Sequence, residues 1–388
     1  MKNIQLLNKI AKVGTDRLDP AVYQIGADVA QPEGIMVRSA KMHDMTFNPE
    51  LLAIARAGAG VNNIPVDRCA SEGIVVFNPP GANANGVKEL AICALLLASR
   101  KVVDGINWAR SLSGTPDVAK QVEAGKSQFA GNELQGKTLG VIGLGAIGGL
   151  VANAAVALGM KVVGCDPYLS VDGAWNLDHH IKHAASYEDV YAVADYITLH
   201  VPATPTTTNM VCEATIATMK PGVKIINLAR AELVNAMDLA AAMEAGRVSA
   251  YVTDFPTEET VAIPGVLTVP HLGASTAESE DNCAVMAAEE LDEYLSRGNI
   301  RNSVNYPNVS MSQSGKMRVC VLHANVPAVL TNISGAVAKR GINIENMLNK
   351  SKGENAYTIL DISEVAGDEL LADIATIEGV RRARLIAR

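Results

Sequence analysis

Short apolar runs alternate with stretches of helical period along nearly the whole chain, the pattern of an α/β protein. Residues 2–7, 22–30, 34–38 and 74–77 read as strands, and residues 66–72 as a helix. Residues 48–55 predict a short helix, with Asn48 as its cap and Pro49 in its first position. Two bends rich in Gly and Asn, 56–64 and 78–87, interrupt this region. Residues 87–112 form one long helical pattern rich in Ala and Leu. Its length suits an element crossing between two domains.

From there β-α units repeat. Strands are expected at 139–142, 161–165, 196–201, 224–228, 250–253 and 267–269, and helices at 151–158, 187–194, 214–219 and 236–245. A second long helix, 277–296, has its acids outward and Ala, Val, Met and Leu inward, and would return the chain to the first region. Residues 299–314 are polar and read as a linker. The last segment then changes rhythm. Strand 318–322 leads to helix 328–340, which Gly341 ends as an αL cap. Strands 344–349 and 356–362, helix 369–377 and strand 380–386 follow, the β-α-β-β-α-β order of a ferredoxin-like module. The expected fold class is α/β, with two Rossmann-like doubly wound parallel-sheet domains and a ferredoxin-like domain at the end. The expected boundaries are 1–99 completed by 276–306, then 100–275, a linker at 307–316, and 317–388.

One stretch of this pattern carries chemistry. The apolar strand 139–142 runs into Gly143-Leu-Gly145-Ala146-Ile147-Gly148, a G-x-G-x-x-G sequence, and the next strand ends at Asp166. Gly143 permits a tight turn, Gly145 lets a pyrophosphate approach the backbone, and Gly148 lets the helix pack closely. The helix start offers free N–H groups and a positive dipole end. Asp166 can accept both ribose hydroxyls of NAD and would repel the extra phosphate of NADP. Glycines between a strand and a helix often serve packing alone; here strand, helix, second strand and terminal acid follow in order.

Composition narrows the function. The 388 residues leave room for two or three domains. A net charge of −8 gives no electrostatic footprint for nucleic acid, and 4% aromatic residues offer no stacking platform for bases. A local basic pocket could still hold an anionic substrate. The six cysteines are scattered and never in C-x-x-C spacing, which argues against zinc, against any other metal site of that kind, and against a disulfide framework. Small buried thiols in a reducing cytoplasm are expected. Residues 1–10 lack the apolar core of a signal peptide, and the apolar stretch 90–98 is too short to span a bilayer.

Three polar residues stand at or just beyond the carboxyl ends of predicted strands: Arg230, Glu258 and His271. In an open parallel sheet that edge is where ligands bind. Hydride transfer from a hydroxy acid needs a base for the hydroxyl proton, a cation for the carboxylate, and a group that sets the base's pKa. His271 can be the base, Arg230 the planar fork for a carboxylate, and Glu258 the carboxylate that stabilises an imidazolium. His200 ends another strand near the expected cofactor, where support or ordinary packing both fit. His43, His179, His180 and His183 read as surface residues.

These segments together resemble the D-2-hydroxyacid dehydrogenases: Val-Arg38-Ser-Ala, Arg56-Ala-Gly-Ala-Gly-Val-Asn, the glycine fingerprint with Asp166, Leu199-His-Val-Pro, Ile226-Asn-Leu-Ala-Arg230, Asp254-Phe-Pro-Thr-Glu258 and Pro270-His271-Leu-Gly-Ala. The resemblance covers residues 1–306, and the final segment resembles an ACT domain. It implies catalytic roles for Arg230, Glu258 and His271, and NAD contacts at Ala146, Ile147, His200, Pro202, Ala229 and Asp254 beside the glycines. Within the family the chain is most similar to the branch that oxidises 3-phosphoglycerate to 3-phosphohydroxypyruvate, the first step of serine synthesis. That implies substrate contacts at Arg38, Ser39, Ala59, Gly60 and Asn83. Lys88 stands where a small residue is more usual, and either adds phosphate charge or is a solvated helix residue. By position, His323, Asn325 and Asn343 match the residues with which ACT domains of this branch hold L-serine. The branch also implies a homodimer or homotetramer. Two other readings remain open: a dehydrogenase of another D-2-hydroxy acid, and a non-catalytic sensor of NAD or an amino acid. Three departures stand out: Thr253-Asp254 for the commoner Asp-apolar pair, Ala231-Glu232 where Gly usually follows the Arg, and Pro327-Ala328 for Pro-Gly.

Overall fold

The computed structural model describes residues 1–387. They form two compact units, Met1–Asn83 with Ala277–Arg388, and Ala84–Thr276.

The first unit holds a five-stranded parallel sheet in the order Tyr23–Gly26, Lys2–Leu7, Gly34–Val37, Ala53–Arg56, Val75–Phe77. The helix expected at 48–55 is absent. Asn48 Oδ1 accepts the Glu50 N–H at 2.8 Å, so the side chain caps an Asx turn instead. Ala53, Ile54 and Ala55 are then fully buried as a central strand. Helix Ala277–Arg297 lays Ala284, Ala287, Ala288 and Leu291 into the core with Ile4, Met36 and Phe77. The segment read as a linker is held down on this unit. Asn305 Oδ1 accepts the Val76 N–H at 2.9 Å, its Nδ2 donates to Ile74 O at 2.9 Å, and the buried Tyr306 hydroxyl donates to Ala70 O at 2.7 Å.

The same unit contains a four-stranded antiparallel sheet, ordered Ile344–Lys352, Asn355–Ile362, Met317–Ala324, Val380–Ala387. With helices Val329–Lys339 and Asp368–Ala375 it makes the expected β-α-β-β-α-β module. One face packs Val319, Val321 and Leu360 against Ile333, Val337 and Ile374 of those helices. The other face is covered as well: Cys320, Leu322, Tyr357 and Ile359 share the core of Ile4, Leu291 and Tyr294. Arginines fix this junction. Arg384 lies 4.3 Å from the centre of the Tyr294 ring and donates to Leu295 O at 3.1 Å. Arg382 donates to Leu51 O at 2.7 Å and Arg381 to Ala70 O at 3.0 Å. Leu295 and Ala70 lie in the last turns of helices, where unpaired carbonyls carry partial negative charge. Arg318, fully buried, forks onto Asp361 at 2.7 and 2.9 Å.

The second unit holds a seven-stranded parallel sheet in the order Val266–Thr268, Val248–Thr253, Val223–Asn227, Tyr196–Leu199, Thr138–Ile142, Lys161–Cys165, Lys182–His183. The winding reverses between Thr138–Ile142 and Tyr196–Leu199, the crevice position for a ligand in such sheets. The single helix expected at 87–112 is two, Ala84–Ser99 and Val102–Ser111. At the break the Ser99 carbonyl accepts the Asn132 N–H at 2.9 Å instead of continuing its helix. The Ser99 hydroxyl also bonds Leu95 O at 2.7 Å and the Tyr196 hydroxyl at 2.9 Å. A further helix, Val118–Gly125, follows them. Among the described residues, no helix is long and apolar enough to cross a membrane.

Candidate active site

The three fingerprint glycines meet three different surroundings. Gly143 has φ +88°, and a Cβ there would sit 2.6 Å from the His200 carbonyl oxygen. A Cβ on Gly148 would fall 1.9 Å from the Gly143 oxygen, so this glycine packs the helix on its own loop more tightly than on the sheet. A Cβ on Gly145 would meet nothing within 4 Å. Gly145 also begins helix Ala146–Ala157, whose first N–H groups are free of intrahelical partners. That open cradle beside free amides fits a dinucleotide pyrophosphate.

Asp166 follows the next strand as expected. Its Oδ2 accepts the Leu144 N–H at 2.9 Å and its Oδ1 the Tyr168 N–H at 2.9 Å. The carboxylate therefore shapes the glycine loop, and each oxygen keeps a lone pair for a ribose hydroxyl. His200 Nε2 pairs with Thr198 Oγ1 at 2.9 Å, and burial lowers its pKa to about 4. Its imidazole is therefore neutral at pH 7, and its carbonyl lies against Gly143. Pro202 and Ala229 follow adjacent strands at the same edge.

Arg230 and His271 come together around Phe255. The Arg230 guanidinium lies 5.8 Å from the centre of the Phe255 ring, and the His271 ring centre lies 4.6 Å from it. Both side chains are exposed. Asn227 locks the turn that carries Arg230, donating to Arg230 O at 2.7 Å and accepting its N–H at 3.3 Å. His271 has φ +26°, a left-handed backbone uncommon for a residue with a Cβ, and its N–H is held by Asp254 O at 2.9 Å. Asp254 is buried. Its Oδ2 accepts the Gly273 N–H at 2.9 Å, while Oδ1 has no partner. Burial raises its pKa, against the pull of the Gly273 amide and the charges of His271 and Arg230. The approach is close, since a Cβ on Gly273 would come 3.1 Å from Asp254 Oδ2.

Glu258 opens the short helix Glu258–Ala262 after the Thr257 cap and is exposed. Among the described residues, it makes no hydrogen bond or ion pair with His271. The carboxylate electrostatically coupled to His271 is Asp254.

In the first unit, Arg38 and Arg56 follow or end two paired strands, with Val37 in register with Arg56. Arg38 is ion-paired with Glu280. Arg56 Nε donates to Asn63 Oδ1 at 3.1 Å. Burial lowers its pKa, and the Arg38 charge adds to that shift. Arg56 opens the Gly-rich bend, and what marks it is a cation at a strand end one register step from Arg38. Gly58 makes room for it, since a Cβ there would lie 2.6 Å from Arg56 Nη1. Ser39 N–H is held by Asn8 Oδ1 at 3.0 Å, and Ala59 O accepts from Asn78 Nδ2 at 2.6 Å. Gly60 lies beside Arg56 Nη1, 3.9 Å from where its Cβ would be. Asn83 closes this stretch of the first unit. Lys88 belongs to the second unit, where its Nζ donates to Asn85 Oδ1 at 2.6 Å and lies 3.9 Å from Glu89. Its charge is partly compensated there.

At the C-terminal module His323 is buried. Nδ1 lies 2.8 Å from Ala324 O and Nε2 2.8 Å from Thr358 Oγ1, which in turn meets Asn349 at 2.8 Å. Asn325 is exposed and donates to Gly353 O at 3.1 Å. Asn343 Nδ2 lies 3.4 Å from Glu345 Oε1. His43, His179, His180 and His183 are exposed, as expected. A cavity of about 920 Å³ opens at the amino ends of the second unit's strands, beside Thr138, Lys161 and Lys182. Arg230 and His271 lie at the opposite, carboxyl edge of that sheet.

A family profile, D-isomer specific 2-hydroxyacid dehydrogenase, NAD binding domain, matches residues 94–273. The chain is 36% identical over 289 residues to the D-3-phosphoglycerate dehydrogenase of Mycobacterium leprae, covering 72% of this chain and 52% of that one. It is 31% identical over 335 residues to D-3-phosphoglycerate dehydrogenase 2 of Saccharomyces cerevisiae, covering 80% of this chain and 68% of the relative. It thus spans about half the length of the mycobacterial relative. Two solved structures share its fold. The apo D-mandelate dehydrogenase of Rhodotorula graminis has a TM-score of 0.68 at 22% identity, covering 81% of this chain and 99% of that one. The NAD⁺-bound 3-phosphoglycerate dehydrogenase of Entamoeba histolytica has a TM-score of 0.59 at 24% identity, covering 78% and 98%. The chain belongs to the D-isomer-specific 2-hydroxyacid dehydrogenase family, whose NAD-binding domain lies within residues 94–273.

Proposed function

We propose that the protein oxidises 3-phospho-D-glycerate to 3-phosphohydroxypyruvate with NAD. The observation that carries the substrate is the cation pair Arg38 and Arg56 on neighbouring strand ends. The Arg38 charge already disfavours that of Arg56, and a phosphate dianion that takes the place of Glu280 at Arg38 would relieve this while engaging both cations. Lys88 is proposed as a further phosphate contact. Gly143, Gly145 and Gly148 would hold the cofactor's pyrophosphate, Asp166 its ribose, and the orphan Asp254 Oδ1 is an acceptor for one of its donor groups. NAD, when bound, supplies the hydride acceptor.

The chain's own groups then divide the remaining work. Arg230 binds the substrate carboxylate. His271 Nε2 or Nδ1, whichever is unprotonated, takes the hydroxyl proton. Asp254 and Glu258 favour the resulting imidazolium. Asn227 is a positioning residue that holds Arg230. A general base in such a role contributes roughly 10²–10⁴ in rate.

The C-terminal module is proposed to be an ACT domain that binds L-serine through His323, Asn325 and Asn343. We also place a homodimer or homotetramer here. Helices Val102–Ser111 and Val118–Gly125 bury none of their residues and expose Val102, Ile106 and Val118, which supports association. NADH formation from 3-phosphoglycerate, compared with lactate, glycerate and 2-hydroxyglutarate, tests the substrate. Phosphoglycerate should win by kcat/KM, and Arg56→Ala should raise its KM more than Lys88→Ala does. Equal turnover of glycerate would overturn the phosphate reading.

A further inference from the structure

A second cationic recess lies in the first unit, apart from Arg38 and Arg56. It is a groove of about 670 Å³. One wall is the end of the edge strand Ile344–Lys352 of the C-terminal module, the floor is the strap 302–308, and the far wall is Asn78 and Pro80. Lys350 and Lys352 follow Leu348 at every second position of their strand, and Leu348 packs against the core shared with the parallel sheet. Both lysines therefore share the face turned to that sheet. Lys352 Nζ is held in place by Ser303 O at 3.0 Å and keeps two further donors. Among the described residues, these lysines are the only charged ones lining the groove; the rest of its polar lining is amide and hydroxyl, as in Asn78, Asn308 and Ser351.

A buried carboxyl touches the floor: Glu290 accepts from Asn302 Nδ2 at 2.7 Å. Burial pushes its pKa up to about 8, so at neutral pH it adds little opposing charge. Two cations in a lining of neutral amides and hydroxyls make a local positive field in a chain of net charge −8. The far wall is not passive. Phe77 is bridged to Ser303, and Asn78 Nδ2 donates at 2.6 Å to Ala59 O, in the bend that follows Arg56. A ligand touching Asn78 is therefore one hydrogen bond from the bend that begins at Arg56, one of the proposed phosphate cations.

The geometry points to this groove as a binding site for a compact polyanion, a polycarboxylate or a phosphorylated metabolite, that changes substrate affinity from a distance. Only the kinetic readout rests on the function proposed above; binding is measured without turnover. The test uses the full chain at ionic strength fixed with KCl, and calorimetric titration with citrate and, separately, inorganic pyrophosphate. Wild type should bind at least one of them, and the tighter of the two assigns the anion class. Lys350→Ala/Lys352→Ala should lose one site, or weaken it at least tenfold, with NADH affinity unchanged. Lys350→Gln/Lys352→Gln serves where the alanine variant melts early. A saturating probe should also shift the KM for 3-phosphoglycerate at least twofold in wild type and not in the variant. Heats equal to those of KCl, or equal binding in wild type and both variants, would overturn the site.

Discussion

The glycine loop and the His323 corner were both expected to hold a small ligand, and they are built in opposite ways. At Gly145 the backbone faces open space, with helix amides left over. At His323 both ring nitrogens are already used inside the chain, by Ala324 O and Thr358 Oγ1. The first is a vacancy shaped by what is missing, a Cβ. The second is a satisfied network that a ligand could enter only by rearranging it. Sequence motifs do not distinguish these cases, because both are read from residue types; the hydrogen bonds separate them.

The largest effect should come from breaking the vacancy. Gly145→Ala places a methyl where nothing stands within 4 Å, in a backbone conformation that alanine tolerates. Its melting temperature should stay near wild type while NADH affinity, read by fluorescence titration, falls by roughly ten- to a hundredfold, about 1.4–2.8 kcal/mol. Gly148→Ala is the contrast. Its methyl would meet the Gly143 oxygen at 1.9 Å, so folding stability and affinity should fall together. A Gly145→Ala protein with unchanged NADH affinity would remove the cradle from the site.

The satisfied corner makes the converse forecast. His323→Ala removes one of the two hydrogen bonds of the buried Thr358 hydroxyl and empties a buried site, and should cost ~1–3 kcal/mol in denaturant unfolding. Asn325→Ala, at an exposed position, should leave stability within about 0.5 kcal/mol. Both should lose any inhibition of NADH formation by L-serine. An activity insensitive to millimolar L-serine in wild type would leave the corner as structure alone.

Much of this was legible beforehand. The β-α alternation, the fingerprint and the C-terminal β-α-β-β-α-β order are written in periods of 2 and 3.6, and the structure reproduces them. What failed was local or distant. Asn48 before Pro49 is as good a turn former as a helix cap, and burial of Ala53–Arg56 decides between them. The break after Ser99 depends on an amide at Asn132, which no local period reveals. Polar residues 299–314 look like a linker because Asn305 and Tyr306 spend their polarity on backbone groups more than 200 positions away. At the site, the strand-end positions of Arg230 and His271 could be read. Their meeting around Phe255, the orphan oxygen of Asp254 and the register of Arg56 beside Arg38 are properties of pairing.

Glu290 sharpens the comparison, being buried like His323 yet holding an oxygen, Oε2, with no partner. Its folded pKa of about 8 lies above the ordinary 4.5. The native state therefore holds its proton after the unfolded chain has released it, and stability contributed by this group falls as pH rises from about 4.5 to about 8. The slope has an upper limit of ~1.4 kcal/mol per pH unit. Glu290→Gln keeps the acceptor for Asn302 and removes the titration. Its unfolding free energy should fall less between pH 5 and 8 than that of wild type; parallel curves would show that Glu290 ionises freely.

The smallest effect belongs to the loop beside His323. Ala328 stands where Gly is the usual residue, and it has φ +67° and ψ −13° just before helix Val329–Lys339. An L-residue in that left-handed region costs roughly 1–2 kcal/mol, because its Cβ crowds a backbone oxygen. Ala328→Gly relieves the strain but adds backbone entropy to the unfolded chain, roughly 0.4–1 kcal/mol in the other direction. The net should be a gain of about 0.5–1 kcal/mol, a rise in melting temperature of a few degrees at most, with NADH affinity untouched. A fall in stability would mean that the alanine methyl makes packing contacts worth more than the strain it carries, and the corner would then be more tightly built than its hydrogen bonds alone indicate.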